Sequence, residues 1–377
     1  MKGRYRVLHV IDSLNLGGAQ AVLVNLIRHG DQSRFEFSVA AMHGRGVYWD
    51  AIRALGVRSY SLSFDRRFPS YLPIMAWLCL ARRFDIVHTH LIGANVFAKP
   101  VAALCGTDIR INHVHGNYKS AMPWWVLKAE RLTNPLSTHF IAVSDSTRRH
   151  LMEKERVAGD RITVIHNGID LELYRPRPEL RAGARAQFGL PADAFVIAGV
   201  GRLSYEKNFS LYLDVAAAVL AREPRAFFVI AGTGEEAGTL AQKVRSIGID
   251  ARVRLLGYVG DMAQLYPAVD MLLLTSRYEG LPITVLEAMA TGALVVSSRL
   301  DGVQEILRDG VDSVLVTPDS GEQFAARIVA LMRNPVLARD YRSAALDKVR
   351  AGLSAQANAT AVEAVYAKYL RSRPRQC

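Results

Sequence analysis

Short apolar runs alternate with longer segments of helical period along this chain. The runs Val7–Ile11, Phe37–Ala41, Asp85–Thr89, Ile109–Val114, Phe140–Val143 and Ile162–Ile165 read as strands. Helical periodicity fills the gaps, as in Ala19–His29, where Val22, Leu23, Leu26 and Ile27 form one face. Such alternation predicts repeated βαβ units and a parallel sheet covered on both faces. Around Leu171–Leu190 the pattern breaks into a Pro- and Arg-rich stretch that reads as an interdomain linker. A second series follows: Phe195–Val200, Ala226–Ala231, Val253–Leu256, Met271–Leu274, Leu294–Ser297 and Ser313–Val316. The final segment, Ala355–Leu370, is helical in period and has no strand after it. The expected architecture is therefore α/β, with two doubly wound domains, 1–178 and 190–354, facing one another across a cleft. Ligands of open α/β sheets sit beyond the carboxyl ends of the strands, so the informative residues should lie there.

Composition narrows this picture. The chain has 377 residues, half of them hydrophobic, enough for two buried cores and too many for whole-chain disorder. Its three cysteines, Cys79, Cys105 and Cys377, are too few and too scattered for a disulfide framework and fit a reducing compartment. Lys2, Arg4 and Arg6 precede only Val7–Ile11 before Asp12, too short a core for an export signal. The apolar run Tyr71–Ala81 is also too short to cross a bilayer, which takes about 20 residues; a buried helix is expected, an interfacial one being the other reading. The net charge of +12 is uneven. Residues 1–180 hold 24 Lys and Arg against 15 Asp and Glu, whereas 181–377 hold 23 against 20. A basic first half suits an anionic partner, although excess charge can serve solubility alone.

Three segments after strands carry candidate chemistry. In Tyr278-Glu279-Gly280-Leu281-Pro282-Ile283-Thr284-Val285-Leu286-Glu287, Pro282 suits a helix start, and Gly292 suits its end. Backbone N–H groups from Gly280 and Leu281 onward would face an anion, while Glu279 and Glu287 would accept hydrogen bonds from sugar hydroxyls. The plainer alternative makes Glu279 a cap and Glu287 a solvated face residue. In Gly199-Val200-Gly201-Arg202-Leu203-Ser204-Tyr205-Glu206-Lys207-Asn208, Arg202 and Lys207 could together hold a diphosphate, or form an ordinary basic turn. In Leu16-Gly17-Gly18-Ala19-Gln20, glycines at a helix start allow close approach of a ligand. No GxxxxGK[ST] or GxGxxG occurs, and Gly232-Thr233-Gly234 is weak as a dinucleotide fingerprint. His88 with His90, and His113 with His115, are i, i+2 pairs at strand ends. Thiolate or carboxylate partners at metal spacing are missing, so no metal is expected. His115 before Gly116 suits a polar contact to substrate, and His88 and His113 read as satisfied core residues.

Together these residues resemble glycosyltransferase family 4, the large retaining, nucleotide-sugar-dependent family with the GT-B fold. Glu279 to Glu287 matches E-x7-E, and Gly201-Arg202-Leu203 to Lys207 matches G-R-L-x-x-x-K. Gly17-Gly18, His115-Gly116, Ala142-Val143-Ser144, Asn167-Gly168-Ile169-Asp170 and Gly302 to Glu305 follow in family order. Gln20 departs from the acidic residue that many members carry after the glycine pair, which bears on the acceptor. The resemblance implies a donor domain at the C-terminal side, and an N-terminal acceptor domain onto which the final helix, 355–377, returns. Arg202 and Lys207 would hold the diphosphate, Glu287 the ribose and Glu279 the donor sugar. Gly17, Gly18, Gly280 and Leu281 would contribute backbone, Tyr258 would line the base, and His115 would touch the sugar near its reacting carbon. Gln20, His90, Ser144 and Asn167 would lie on the acceptor or cleft side.

The same resemblance implies transfer of a hexose, with a UDP-sugar as the expected donor, to a glycan or lipid-linked glycan in polysaccharide or lipopolysaccharide assembly. No cofactor or metal is expected, and no nucleic-acid partner. Trp124 and Trp125, near Lys119, Lys128 and Arg131, suggest attachment to an anionic membrane from the cytoplasmic side, or else core or lid positions. Another GT-B activity, epimerase or phosphorylase, and a non-catalytic carbohydrate binder are the alternatives.

Overall fold

The computed structural model describes residues 4–62, 71–116, 124–317 and 321–371. Lys2, Arg66, Arg67, Lys119, Pro123 and Cys377 lie outside them. The chain packs as two units, Met1–Gly168 with Ala355–Cys377, and Ile169–Ser354.

In the first unit seven parallel strands run β1 Tyr5–Ile11, β2 Phe35–Ala41, β3 Arg58–Ser61, β4 Ile86–His90, β5 Ile109–Val114, β6 His139–Ala142 and β7 Ile162–Val164, in the order β3-β2-β1-β4-β5-β6-β7. Most are buried on both faces, which is why apolar residues predominate along them, interrupted by buried polar ones such as His9, Ser38 and His113. Strand β3 escapes that signal because its sequence, Arg-Ser-Tyr-Ser, is polar and lies at the sheet edge. Helices Gly18–His29 and Ala355–Arg371 pack against each other. Tyr366 of the last helix is buried in the same core as Val7, Ile11 and Leu23.

The second unit has six parallel strands, β8 Phe195–Val200, β9 Ala226–Ala231, β10 Val253–Gly257, β11 Met271–Leu274, β12 Leu294–Ser298 and β13 Val314–Val316, ordered β10-β9-β8-β11-β12-β13. The strand order reverses beside β1 in one sheet and beside β8 in the other. The crevice at each reversal is where open α/β sheets take ligands.

Two expectations change. The stretch expected as a linker is built into the second unit, whose chain begins at Ile169 rather than at residue 190. Helix Arg181–Gln187 brings Arg181 and Arg185 onto the Asp270 carboxylate at 2.6 and 2.9 Å, and the same carboxylate accepts from the Val196 N–H of β8. Charge pairing, invisible in an apolar pattern, holds the segment. The helix Tyr71–Arg82 is only half buried: Tyr71, Met75, Leu78 and Cys79 face the core, whereas Trp77 is 57% and Leu80 60% exposed. None of the helices among the described residues is long and apolar enough to cross a membrane.

Candidate active site

The reversal beside β8 brings together the loop after β8 and the loop after β11. The Arg277 N–H donates to the Glu206 carbonyl at 2.8 Å, and its guanidinium donates to Asn208 Oδ1 at 3.0 Å and stacks over Tyr205 at 4.4 Å. Thr275 Oγ1 donates to the Asn208 carbonyl at 3.1 Å. Laced in this way, the loops set Lys207 Nζ 2.6 Å from Glu279 Oε1, and Ser276 Oγ donates to the same oxygen at 2.6 Å. The two side chains are mostly enclosed, so this pair is stronger than an exposed one. Arg202, on the same loop, is exposed.

Glycines set the spacing of these loops. A Cβ on Gly232, whose φ is +154°, would collide with the Gly201 carbonyl. The segment Gly232–Gly234 therefore lies directly on the Gly201–Leu203 turn, where the Leu203 N–H donates to the Thr233 carbonyl at 2.9 Å. Its glycines serve packing, which is why they match no dinucleotide fingerprint. A Cβ on Gly302 would likewise strike the Gly280 carbonyl, so the Gly302–Glu305 segment backs the loop that carries Glu279 and Gly280.

The helix Ile283–Thr291 begins immediately after Pro282, and Gly292 caps it at φ +78°. Gly280 and Leu281 are buried at its start. Glu287 is also buried, not a solvated face residue. Tyr266 OH donates to its Oε2 at 2.9 Å. Burial pushes the carboxyl up to about 7, with the hydroxyls of Tyr266 and Tyr174 pulling the other way. A carboxylate on the border of ionisation, held by two phenols, can accept a further hydroxyl hydrogen bond. Tyr258, after β10, is half exposed.

The histidine candidates of the first unit gather near the reversal beside β1, whereas Ser144 and Asn167 follow β6 and β7. His9, His88, His90 and His113 lie on neighbouring strands, with His9 level with His88 and His90 level with His113. His90 Nε2 lies 3.0 Å from His9 Nδ1, and His90 Nδ1 lies 3.0 Å from His115 Nε2. Tyr366 OH meets His88 Nδ1 at 2.5 Å. Burial holds His9 and His115 down to about 3 and the other three well below the usual histidine range, so all five are neutral. His88 and His113 are core residues but not satisfied ones: His88 Nε2 and both His113 nitrogens lack a hydrogen-bond partner. His115 and Gly116 line a pocket with Asn95 and Glu130.

The glycine turn leads from β1 into the helix Gly18–His29, with Gly17 as its cap. Gln20 is buried and its amide donates to the Ser13 carbonyl at 3.0 Å. Ser144 caps the helix Asp145–Glu153 by accepting from the Thr147 N–H at 3.1 Å. Asn167 is buried at the end of the first unit. Sequence reasoning missed His9, Ser276, Tyr174 and Tyr266. His9 alone left a signal, as the polar residue on the Val7–His9–Ile11 face.

Comparison with known proteins identifies the family. Residues 16–173 match the pattern described as glycosyltransferase family 4, and residues 181–348 that of glycosyl transferases group 1. A D-inositol 3-phosphate glycosyltransferase of Mycolicibacterium paratuberculosis is 31% identical over 304 residues, 76% of this chain and 68% of that one. This chain belongs to glycosyltransferase family 4. A second family member, the UDP-Gal:α-D-GlcNAc-diphosphoundecaprenol α-1,3-galactosyltransferase of Escherichia coli, is 27% identical over 76% of this chain and 77% of its own length. The fold of this glycosyltransferase is GT-B. Anabaena HepE, crystallised with UDP-glucose, superposes with a TM-score of 0.87 at 20% identity, over 96% of this chain and 99% of that one.

Proposed function

We propose that this glycosyltransferase moves a hexose from a UDP-sugar to a lipid-linked glycan, retaining the anomeric configuration, in the assembly of a polysaccharide or lipopolysaccharide. The observation that carries the reading is the Lys207–Glu279–Ser276 cluster at the strand-order reversal of the second unit, close in sequence to Arg202 and the helix start at Ile283. Such a set joins cations for a diphosphate to a carboxylate for sugar hydroxyls. The activity of the Escherichia coli relative and the ligand in the Anabaena crystal support the UDP-sugar and the lipid-diphosphate acceptor.

In this mechanism Lys207 and Arg202 neutralise the departing diphosphate, so the reaction needs no metal for that charge. Glu279 and Glu287 accept from the donor sugar and the ribose, Gly280 and Leu281 support the phosphate or sugar, and Tyr258 borders the base. His115, Gly17 and Gly18 meet the sugar; Gln20, His90, Ser144 and Asn167 shape the acceptor side. The bond from the anomeric carbon to the phosphate oxygen breaks as the acceptor oxygen attacks on the same face, and that phosphate oxygen takes the acceptor's proton. Paired carboxylates often act as acid and nucleophile in sugar chemistry, but a diphosphate leaves as a stable anion and needs no acid.

The test is nucleoside diphosphate release from a panel of UDP- and GDP-sugars, in EDTA, with and without a polyprenyl-diphosphate-linked sugar. Acceptor-dependent release of UDP and an α-linked product from an α-linked donor are expected. Release that ignores the acceptor, or an inverted product, overturns the reading.

Membrane docking from the cytoplasmic side completes the proposal. Trp124 (74% exposed), Lys128, Arg131 and Leu132 fall at i, i+4, i+7 and i+8, one aromatic and basic helix face. Trp77, Leu80 and Leu104 are exposed on two helices that pack together, and the Leu104 helix also packs against the Trp124 helix. Trp124→Glu with Trp77→Glu should abolish co-sedimentation with phosphatidylglycerol vesicles at low salt; unchanged sedimentation counts against it.

A further inference from the structure

We propose that Asn95 selects the acceptor: its side-chain oxygen receives one hydroxyl of the acceptor sugar, in the pocket that His115 borders. This deepens the proposed function and rests on it. Asn95 lies on the helix Leu91–Leu104 and Glu130 on the helix Trp124–Thr133, which packs against it. Both side chains are buried. With His113, His115 and Glu155 they line one pocket, which has room for about one water-sized group.

The orientation of the Asn95 amide is fixed by its neighbour. Nδ2 donates to Glu130 Oε1 at 3.3 Å, and the nitrogen of an amide, never its oxygen, faces a carboxylate. Oδ1 is left as the other end of the amide, buried and accepting no hydrogen bond. Lys99, one turn further along the same helix, balances the acidic charge. Burial lowers its ammonium to about 8, and Glu130 and Glu155 oppose that shift. Lys99 Nζ donates to Asn134 Oδ1 at 3.4 Å, and Asn134 Nδ2 donates to Glu155 Oε2 at 3.0 Å. The wall that carries Asn95 is therefore braced by groups that never need to touch a substrate.

A buried polar atom without a partner is costly, and the same pocket holds a second, His115 Nδ1. A hydroxyl suits such a place. Its hydrogen goes to Asn95 Oδ1, and its oxygen can accept the one N–H that a neutral imidazole carries. The carboxylates of Glu130 and Glu155 disfavour an anion there, which directs the acceptor's diphosphate elsewhere. In the proposed reaction the acceptor oxygen attacks the carbon that His115 touches, so the acceptor ring lies beside His115. Glu279 already takes the donor's hydroxyls. The hydroxyl held by Asn95 is not the attacking one, whose proton passes to the departing phosphate; it is another on the same ring.

The test measures kcat/KM for UDP release with the polyprenyl-diphosphate-linked sugar that the enzyme accepts, and with its monodeoxy and deoxyfluoro analogues. One ring position should stand out. Removing its hydroxyl should lower kcat/KM about 10²-fold, and fluorine should not restore it, because Oδ1 needs a donated hydrogen. In Asn95→Ala the penalty for the missing hydroxyl should shrink to about threefold or less, the mark of two groups that act on each other. Asn95→Ser serves the same comparison should the alanine variant fail to melt cooperatively. No position that stands out, or a penalty of equal size in parent and variant, means that the pocket holds water only. Either result overturns this inference and leaves the proposed transfer standing, whereas a parent that uses no acceptor overturns both.

Discussion

The two units share one sheet design and place polar residues at the same strand ends, yet they bury opposite chemistry. In the second unit, Glu287 and Glu279 each have named partners: two phenols for one, an ammonium and a hydroxyl for the other. In the first, five neutral imidazoles stack with more nitrogens than hydrogen bonds to fill them. The lesson is that one topology sets where polar groups gather, while the partners available there decide their charge. Acid should therefore act on the units in opposite directions.

The comparison predicts effects of decreasing size. Lys207→Ala removes the ammonium from Glu279 and, under the proposed mechanism, from the diphosphate; transfer should fall about 10²–10³-fold. Near-normal turnover breaks the assignment. Glu287 is raised from 4.5 to about 7 by burial, so the stability it contributes is fully present below about 4.5 and is lost as pH rises through about 7. That span is worth roughly 3 kcal/mol, and Glu287→Gln should be more resistant to urea than the parent at pH 8 but not at pH 4.5. An equal difference at both pH values would remove the raised carboxyl from the account.

The histidines run the other way. Their folded values are depressed, so their contribution is present above about 6.5 and is lost as pH falls toward them. His113→Leu should lessen the acid sensitivity of the protein in urea titrations at pH 5 and 7. A parallel shift at the two pH values contradicts it. The smallest effect belongs to Tyr266→Phe, which deletes one hydrogen bond to Glu287. A loss of about 1–2 kcal/mol in nucleotide affinity by calorimetry is expected at pH 7, with Glu287 titrating still higher. An unchanged affinity separates Glu287 from nucleotide binding.

The strands were legible because most buried parallel strands are apolar throughout, as Phe195–Val200, Ala226–Ala231 and Met271–Leu274 are. The helix after Pro282 and its end at Gly292 were legible from backbone preference alone. Arg181 and Arg185 were not, because their partner, Asp270, is more than 80 residues away. Tyr266 and Ser276 were missed for a related reason. Hydroxyls are common everywhere, and only the fold aims these two at carboxylates.

By itself, then, the order of residues determined the periodicity, the two sheets, and which side chains stand just past strand ends. Those depend on local preference and on burying apolar surface, which adjacent residues encode. Tertiary structure alone decided which of those side chains are charged: Glu287 near 7, the histidines neutral, Lys207 against Glu279. Ionisation is set by burial and by partners at ångström distances, and distant segments of the chain supply both.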